Sequence, residues 1–348
     1  MYKNVLITGG CGFLGRHFTH FLAEHGAKVV NIDDLSVGVP YNKWPDFLKT
    51  DNVKKNTTFV HEDALYFFKA EDNFSKQPFD LAIHLAAIVK GRENIEKKPE
   101  LAVASMTLDN EFFRWCARNK PGKAIFMSSS AAYPVGLQNE YPILDWVAGQ
   151  KTFIPSALEE VDFTLKNDPE FTHIGMPDKL YGWSKVSGEV IAKEFAETYD
   201  LNILCPRPFS GYGEDQSLSY PFPSIIKRII DGENPIEVWG TGEQVRDFIH
   251  VDDLIQSIFN YLSHSSGYDT INLGSGQPTS FLELISTAQK VLNTNFAVKP
   301  LTEKPTGVKT RYCNNTKMLS YYKPTINLEL GIKRVANYLK DQDERNNN

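Results

Sequence analysis

The chain has 348 residues, of which 41% are apolar and 23% are charged, and this composition is ordinary for a folded globular protein rather than a disordered one. Its formal net charge of −6 argues against a general attraction for nucleic acid or an anionic membrane. Four scattered cysteines without a Cys-x-x-Cys pair argue against a disulfide framework or a zinc site. This cysteine usage favours a reducing, cytoplasmic compartment.

Short β-type runs alternate with helical stretches in the first part of the chain. The pattern predicts strands at Val5–Ile7, Val29–Ile32, Thr58–His61, Leu81–Leu85, Ala124–Ser128 and Asn202–Pro206. It predicts helices at Phe13–His25, Glu100–Arg118 and Lys179–Tyr199. Such alternation is typical of an α/β fold with a Rossmann-type, doubly wound parallel sheet that carries helices on both faces.

The same pattern suggests how the chain is divided. Residues 1–206 are expected to form the Rossmann domain, interrupted by an irregular, proline-containing insertion at about 136–178. The insertion contains Trp146 and Phe153, and two interpretations are open: a lid over the site, or a surface elaboration or oligomer contact. Shorter elements at 207–340 predict a smaller mixed α/β C-terminal domain for the substrate, with some segments returning to the Rossmann sheet.

A glycine-rich segment, GCGFLG at 10–15, lies between the first predicted strand and the first predicted helix. Glycines in this position permit a tight turn and close approach of a pyrophosphate, which the N–H groups of the helix start can bind. Asp33 ends the second predicted strand, where a carboxylate accepts both ribose hydroxyls of NAD and repels the extra phosphate of NADP. The segment therefore predicts NAD binding by residues 1–206. The alternatives are an ordinary strand–helix turn and, for Asp33, a cap or turn role.

Tyr181 and Lys185 lie four residues apart in the third predicted helix and therefore on one face. A tyrosine with its ordinary pKa of about 10 is a poor base, but a nearby ammonium favours the phenolate. Such a pair can remove a proton from a sugar hydroxyl as hydride leaves the same carbon. Ser128, Ser129 and Ser130 follow the fifth predicted strand, where a hydroxyl can bind the same oxygen. A solvated helix face and hydrogen bonds to loop backbone are the alternatives.

Together these features resemble the NAD-dependent epimerase/dehydratase branch of the extended short-chain dehydrogenase/reductase family. The resemblance runs from Asn4 to about Tyr338, with the insertion as the main gap. The segments that carry it are TGGCGFLG at 8–15, DDLS at 33–36, Asp63, HLAA at 84–87, SSAAY at 129–133, YGWSK at 181–185, RPF at 207–209 and RDFIHVDD at 246–253.

The resemblance implies bound NAD, a nucleoside-diphosphate-sugar substrate and a homodimer. The net charge argues against nucleic-acid and membrane partners, and the scattered cysteines and histidines argue against a metal site. It implies that Tyr181 is the catalytic base, Lys185 its electrostatic helper and Ser129 the third catalytic residue. The residues implied to hold NAD are Gly9, Gly12, Phe13, Leu14, Gly15, Asp33, Asp34, Ser36, Asp63, Ala64, Leu85, Ala86, Ala87, Lys90, Ser128, Tyr181, Lys185, Pro208 and Phe209. Those implied to contact the substrate are Ser130, Ser210 and Arg246, with Arg246 at the diphosphate.

The chain also departs from the family pattern at several positions. No carboxylate follows Ser129, unlike in the sugar 4,6-dehydratases, and Ala131 stands where GDP-fucose synthase-like enzymes have a cysteine. Lys304 stands where an arginine often binds the diphosphate, and Ser210 replaces an asparagine. The lack of an extra acid group fits a nucleotide-sugar epimerase, acting at C4 through a transient 4-keto intermediate. The alternatives are a nucleotide-sugar 4-dehydrogenase or 4-keto reductase, and a non-catalytic NAD-binding protein.

Overall fold

The computed structural model describes residues 2–70, 78–87, 97–139, 144–147, 150–153, 157–160 and 176–347. The predicted fold class is confirmed, because a seven-stranded parallel sheet with helices on both faces adjoins a smaller mixed α/β region. The strands are β1 (Asn4–Thr8), β2 (Lys28–Asp33), β3 (Thr57–His61), β4 (Leu81–His84), β5 (Lys123–Phe126), β6 (Leu144–Val147), β7 (Gln150–Phe153), β8 (Ile203–Pro208), β9 (Ser210–Tyr212), β10 (Ile236–Trp239), β11 (Val245–His250), β12 (Tyr268–Leu273), β13 (Pro278–Ser280), β14 (Val298–Leu301) and β15 (Thr310–Arg311). The α-helices are α1 (Phe13–Glu24), α2 (Asp51–Asn56), α3 (Ala64–Lys69), α4 (Pro99–Asn119), α5 (Gly136–Asn139), α6 (Lys179–Tyr199), α7 (Pro221–Ile230), α8 (Val251–Leu262), α9 (Phe281–Leu292), α10 (Thr316–Leu319) and α11 (Leu328–Asn347). Short 3₁₀ turns occur at Tyr41–Lys43, Asp46–Leu48 and Ser130–Ala132.

The large sheet has the strand order β12-β8-β5-β4-β1-β2-β3, and all of its strands are parallel. The chain passes from β3 at one edge to β4 on the far side of β1, so the winding direction reverses between β1 and β4. Thr8 pairs with Ile32 on one side and with His84 on the other, which aligns the carboxyl ends of the three strands. Ligands of open α/β sheets bind in the crevice at such a reversal.

Two apolar cores lie on the two faces of this sheet. Alternate residues of a strand point to opposite faces, so Val5 and Ile7 pack towards α1 and α8. Leu6 packs towards α3, α4 and α6 on the other face. Although β12 and α8 come late in the chain, both belong to this sheet layer.

Helix α6 lies unusually close to β5 because it carries two glycines on its buried side. A Cβ at Gly188 would lie 2.2 Å from the Phe126 ring of β5, and a Cβ at Gly182 would lie 2.4 Å from the Ala131 carbonyl oxygen. Both approaches exclude any side chain larger than a hydrogen atom. The helix therefore holds Tyr181 and Lys185 beside the serines that follow β5.

The smaller region is built around β11. This strand is parallel to β9 and β15 and antiparallel to β13, while β10 and β14 form a separate parallel pair. Helices α7, α9 and α11 enclose a third apolar core against these strands. Within the described part of the chain, no helix combines the length and the apolarity required to cross a bilayer.

A cluster of charged side chains ties the C-terminal helix α11 to the start of α8. Glu214 accepts one hydrogen bond from Arg334 Nε, and its other oxygen lies 3.1 Å from Nε2 of His250. Arg334 also donates to Asp252 at 2.8 Å. Burial raises the pKa of Glu214, but His250 and the Arg334 charge outweigh it and leave the pKa lowered to about 2. Glu214 is therefore ionised, and it stabilises the fold near neutral pH.

We expect Glu214→Gln to lower the free energy of unfolding near neutral pH by up to about 3 kcal/mol. The folded pKa lies below the ordinary value of 4.5, so this contribution is complete above that value and is lost as the pH falls towards about 2. Urea unfolding of both proteins from about pH 7 to about pH 3 measures the difference, which should shrink on acidification. Asp231→Asn, at a half-exposed carboxylate, is the control and should change stability by less than about 1 kcal/mol. A Glu214 difference that grows on acidification contradicts the prediction.

Candidate active site

One cleft of 1780 Å³ follows the carboxyl ends of the parallel strands and extends to the smaller region. Every described residue predicted above to hold the cofactor, to act in catalysis or to contact the substrate lines this cleft. Lys90, also predicted to hold the cofactor, lies outside the described residues. The structure therefore brings the three predicted groups of residues into one continuous site.

The glycine turn between β1 and α1 is shaped by close backbone contacts. Gly9 has a φ of +70°, and a Cβ there would lie 2.6 Å from the backbone nitrogen of Ala86. A Cβ at Gly15 would lie 2.2 Å from the Gly9 carbonyl oxygen, so α1 packs directly on the turn. The left-handed conformation is thus at Gly9, one residue before the first glycine of the predicted G-x-G-x-x-G.

The start of α1 fits the diphosphate of a dinucleotide. Gly12 is the N-cap, and no side chain caps the helix. The first-turn N–H groups of Phe13, Leu14 and Gly15 have no acceptor within the helix. A Cβ at Gly12 would contact only the Gly9 carbonyl oxygen, at 3.2 Å, so the space on the cleft side is open. Free N–H groups and the helix dipole favour a phosphate at this position.

The second strand ends in the carboxylate predicted to bind ribose. Asp33 Oδ2 accepts the Cys11 N–H at 2.8 Å, and Oδ1 accepts the Leu35 N–H at 2.8 Å. Burial raises the pKa of Asp33, and the two N–H donors oppose that shift. Each oxygen retains a lone pair for a ribose hydroxyl, so the turn role and the ribose role are compatible. Asp34 binds the backbone and hydroxyl of Ser36, which closes the turn beside it.

Cys11 lies at the centre of the glycine turn and is 4% exposed. Its carbonyl accepts the Val39 N–H at 2.9 Å, and its N–H is held by Asp33. Burial, followed by the nearby Asp33 carboxylate, raises the pKa of the Cys11 thiol to about 12. Both peptide groups of this residue are therefore fixed, and its thiol is protonated at neutral pH.

The remaining predicted cofactor residues lie along the same wall of the cleft. Asp63 caps α3 by accepting the Leu65 N–H at 2.8 Å, and Ala64 follows it as the first residue of that helix. Further along the wall are Leu85, Ala86 and Ala87 after β4, and Pro208 and Phe209 at the end of β8. These residues line the cleft between Asp33, which is predicted to bind ribose, and the predicted catalytic residues Tyr181 and Lys185. We call the part of the cleft around Tyr181 and Lys185 the catalytic end.

Ser129, Tyr181 and Lys185 converge at the catalytic end. Lys185 is buried, with Nζ 4.9 Å from the centre of the Phe126 ring and 5.9 Å from the centre of the Tyr181 ring. Among the described residues, no acceptor is hydrogen-bonded to this ammonium. Lys185 lines the cleft, so its N–H donors are available to a bound ligand. Ser129 accepts the Ala131 N–H at 3.1 Å, which leaves its hydroxyl proton available. The three residues line the same cleft, and their joint action on one substrate oxygen stays a prediction.

Ser128 differs from Ser129 because its hydroxyl donates to Glu189, one turn beyond Lys185. Glu189 and Arg207 are fully buried, and Arg207 Nε donates to Glu189 at 2.9 Å. Arg207 also donates to the Tyr133 hydroxyl at 3.1 Å. This ionic network forms the floor of the catalytic end, and Ser128 can only accept a further hydrogen bond from the cofactor.

At the substrate side of the cleft, Ser130 is buried and Ser210 is half-buried. The Arg246 guanidinium donates to the carbonyls of Thr306 and Val308, each at 3.0 Å. These bonds fix its position in the wall of the cleft. Contact of Arg246 with a diphosphate stays a prediction.

Sequence reasoning missed an ion pair beside the catalytic helix. Arg311 donates to Asp178 at 2.9 Å and also to Gln138. Arg311 and Asp178 line the cleft. An acid directly before a helix predicts a cap, yet Asp178 makes no capping bond and pairs across 133 positions instead. His84 was predicted only as part of the family segment HLAA, without an assigned role. In the structure its Nε2 lies 3.1 Å from Oδ1 of Asp109, and both side chains are buried. Among the described residues, no group of three or more His, Cys, Asp or Glu could hold a metal ion.

Comparison with known proteins adds the following similarities. The sequence model of the NAD dependent epimerase/dehydratase family matches residues 5–274. A UDP-glucuronate 4-epimerase from Thermodesulfobacterium geofontis is 26% identical over 97% of this chain and 97% of its own length. A dTDP-4-dehydro-6-deoxy-D-allose reductase from Streptomyces bikiniensis is 26% identical over 91% of this chain and 89% of its own length. The structure of UDP-glucuronic acid 4-epimerase from Bacillus cereus, in complex with UDP-glucuronic acid and NAD, has a TM-score of 0.75 at 25% identity, covering 98% of this chain and 100% of that chain.

The buried Glu189–Arg207 pair allows a direct test of the cleft floor. Glu189→Gln leaves the Arg207 charge buried without its carboxylate, so we expect the free energy of unfolding to fall by about 3–5 kcal/mol. Glu189→Leu combined with Arg207→Met removes both charges and should lose less stability than the single variant. Urea unfolding measures both variants. If the double variant is less stable than Glu189→Gln, the unpaired Arg207 charge is not the cause of the stability lost in the single variant.

Proposed function

Because the chain belongs to the NAD-dependent epimerase/dehydratase family, we propose that it inverts C4 of the sugar in a nucleoside-diphosphate sugar through a transient 4-keto sugar. The observation that carries this proposal is the single cleft that joins the glycine turn, the Ser129–Tyr181–Lys185 group and Arg246. The sugar C4 would lie between the nicotinamide end of the cofactor site and Tyr181. The diphosphate would lie towards Arg246, whose planar guanidinium suits phosphate oxygens.

Bound NAD supplies the reversible acceptance and return of a hydride. Tyr181 removes the proton of the 4-hydroxyl, and the Lys185 ammonium beside its ring favours the phenolate. The Ser129 hydroxyl donates a hydrogen bond to the same sugar oxygen, which orients the substrate against Tyr181. When the 4-keto sugar presents its other face, Tyr181 returns the proton to the oxygen and the epimer forms. The buried Glu189–Arg207 pair anchors Ser128, the neighbour of Ser129, to the helix that carries Tyr181 and Lys185.

The segment directly after Ser129, SAAY at 130–133, contains no carboxylate, which supports epimerisation over dehydration. Elimination of water from the sugar needs a further acid or base at the neighbouring carbons, whereas epimerisation needs only the three catalytic residues. The segment after Ser129 supplies serine and alanine. The Asp178 carboxylate lies in the cleft but is bound by Arg311 at 2.9 Å. It is therefore committed to a structural ion pair.

A one-way 4-keto reductase or 4-dehydrogenase is the second candidate, supported by the similarity to the Streptomyces reductase. Such an enzyme would use the same Ser129, Tyr181 and Lys185. The difference lies in the cofactor, which must be exchanged after each reduction but is retained throughout an epimerisation cycle. Cofactor retention therefore separates the two candidates.

The assembly and location of the protein belong to the same proposal. We expect a homodimer in the cytoplasm, without nucleic acid or membrane partners. The four cysteines are buried and unpaired, which supports a reducing compartment. The net charge of −6 supports the absence of a nucleic-acid partner. Sedimentation equilibrium of the purified chain tests the dimer.

The deciding experiment measures cofactor content and product together. The purified protein is denatured, and released NAD is quantified. The native protein is then incubated with UDP-, GDP-, CDP- and dTDP-sugars without added cofactor, and the sugars are analysed. About one NAD per chain and a C4 epimer would support the epimerase. Turnover only when NAD or NADPH is supplied would support the reductase or dehydrogenase instead.

Replacement of the proposed base should separate chemistry from binding. We expect Tyr181→Phe to lower kcat by about 10²- to 10⁴-fold, because the base is lost while the cofactor contacts persist. Bound NAD should stay at the wild-type level. Tyr199→Phe is the matched control, because Tyr199 lies on the same helix and is 42% exposed at its far end. Wild-type kcat in Tyr181→Phe would exclude the assigned role.

A further inference from the structure

A buried carboxylate outside the catalytic group links the two sides of the cleft. Asp215 lies in the segment between β9 and α7, and its side chain is 3% exposed. Its Oδ2 accepts two hydrogen bonds from Arg16, from Nε at 2.9 Å and from Nη2 at 2.6 Å. Its Oδ1 lies 2.7 Å from Nε2 of His17. One carboxylate thus holds two neighbouring side chains of α1.

Arg16 extends this contact into the glycine turn. Its Nη1 donates to the Cys11 carbonyl at 2.9 Å, and the Cys11 N–H donates to Asp33 at 2.8 Å. A continuous path therefore runs from Asp215 through Arg16 and Cys11 to the carboxylate that accepts ribose hydroxyls. A five-donor guanidinium is the one side chain able to satisfy a carboxylate and a carbonyl together in this geometry.

The other end of the path lies on the substrate side. We call residues 213–220 the substrate-side loop, since most of them, including Gln216, Leu218 and Tyr220, line the cleft. Gln216 donates to the Gly211 carbonyl at 2.9 Å, which fixes the base of the loop on β9. Tyr220, at the end of the loop, lines the same cleft as Tyr181.

We propose that Asp215 is a positioning residue that couples retention of NAD to the arrangement of the substrate-side loop. Without the Asp215 charge, the buried Arg16 guanidinium loses its counter-charge and turns towards water. The Cys11 carbonyl then keeps the Val39 N–H as its one donor, and the glycine turn loosens. By reciprocity, a cofactor that fixes the glycine turn also fixes the substrate-side loop. The proposal depends on NAD binding and not on which sugar reaction follows.

Glu214 provides a matched control for a merely structural role. It is the neighbouring carboxylate in the same loop and is also buried, but it faces His250 and Arg334 instead of α1. Its loss should weaken the packing of α8 and α11 while leaving the contact between Arg16 and Cys11 intact. A general loss of stability would therefore affect both variants, and a loss of coupling only one.

The test measures NAD affinity of the full chain by isothermal titration after removal of bound nucleotide. We expect Asp215→Asn to raise the NAD dissociation constant by about 5- to 150-fold, the range typical of couplings between sites. Glu214→Gln should bind NAD within about twofold of wild type. Equal losses in the two variants would overturn the proposal.

Arg16→Lys keeps the proposal testable if Asp215→Asn does not fold. A lysine retains the charge opposite Asp215 but lacks the fork that also reaches the Cys11 carbonyl, so NAD affinity should still fall. Wild-type NAD affinity in a folded Arg16→Lys variant would overturn the proposal.

The coupling itself is tested by hydrogen exchange of the substrate-side loop with and without NAD. NAD should protect residues 213–220 from exchange in the wild-type protein, and it should protect them less in Asp215→Asn and in Arg16→Lys. Absence of NAD-dependent protection in the wild-type protein would overturn the coupling. Neither readout uses a sugar substrate, so failure of the proposed epimerase activity is distinguishable from failure of this inference.

Discussion

The catalytic end of this protein depends on one buried ion pair, between Glu189 and Arg207. Helix α6, the segment after β5 and the end of β8 all meet at this pair, through Glu189, Ser128 and Arg207. A buried ion pair compensates its desolvation only when its geometry is good and its remaining donors are satisfied. Tyr133 takes one of the remaining Arg207 donors. Small displacements are therefore unfavourable, and the residues above the pair stay aligned.

Local periodicity predicted six of the seven strands of the sheet, helices α1, α4 and α6, and the glycine turn, because each depends on neighbours a few residues apart. Strand β12 was anticipated only as a C-terminal segment that returns to the sheet. The spacing of Tyr181 and Lys185 likewise placed both on one helix face beside the serines after β5. The close packing of this helix against β5 and the segment after it depends on Gly182 and Gly188, which contact Ala131 and Phe126. Short-range pattern thus predicts which residues share a face, and tertiary packing decides what that face meets.

Polar pairs across long sequence separations could not be predicted in this way. Arg16 and Asp215 are 199 positions apart, and Asp178 and Arg311 are 133 apart. Neither pair leaves a periodic signal, since any acid and any base would be compatible with the local pattern at each position. Both pairs line the cleft, so the part of the site hidden from the sequence is the part that joins its elements.

The protonated thiol of Cys11 has a consequence for the chemical durability of the cofactor site. Oxidants and alkylating agents react with thiolates, and a pKa of about 12 leaves almost none at neutral pH. The neighbouring Asp33 carboxylate further disfavours the thiolate and would repel anionic reagents. The Cys11 thiol at the centre of the glycine turn is therefore expected to react more slowly with such reagents than a thiol of ordinary pKa.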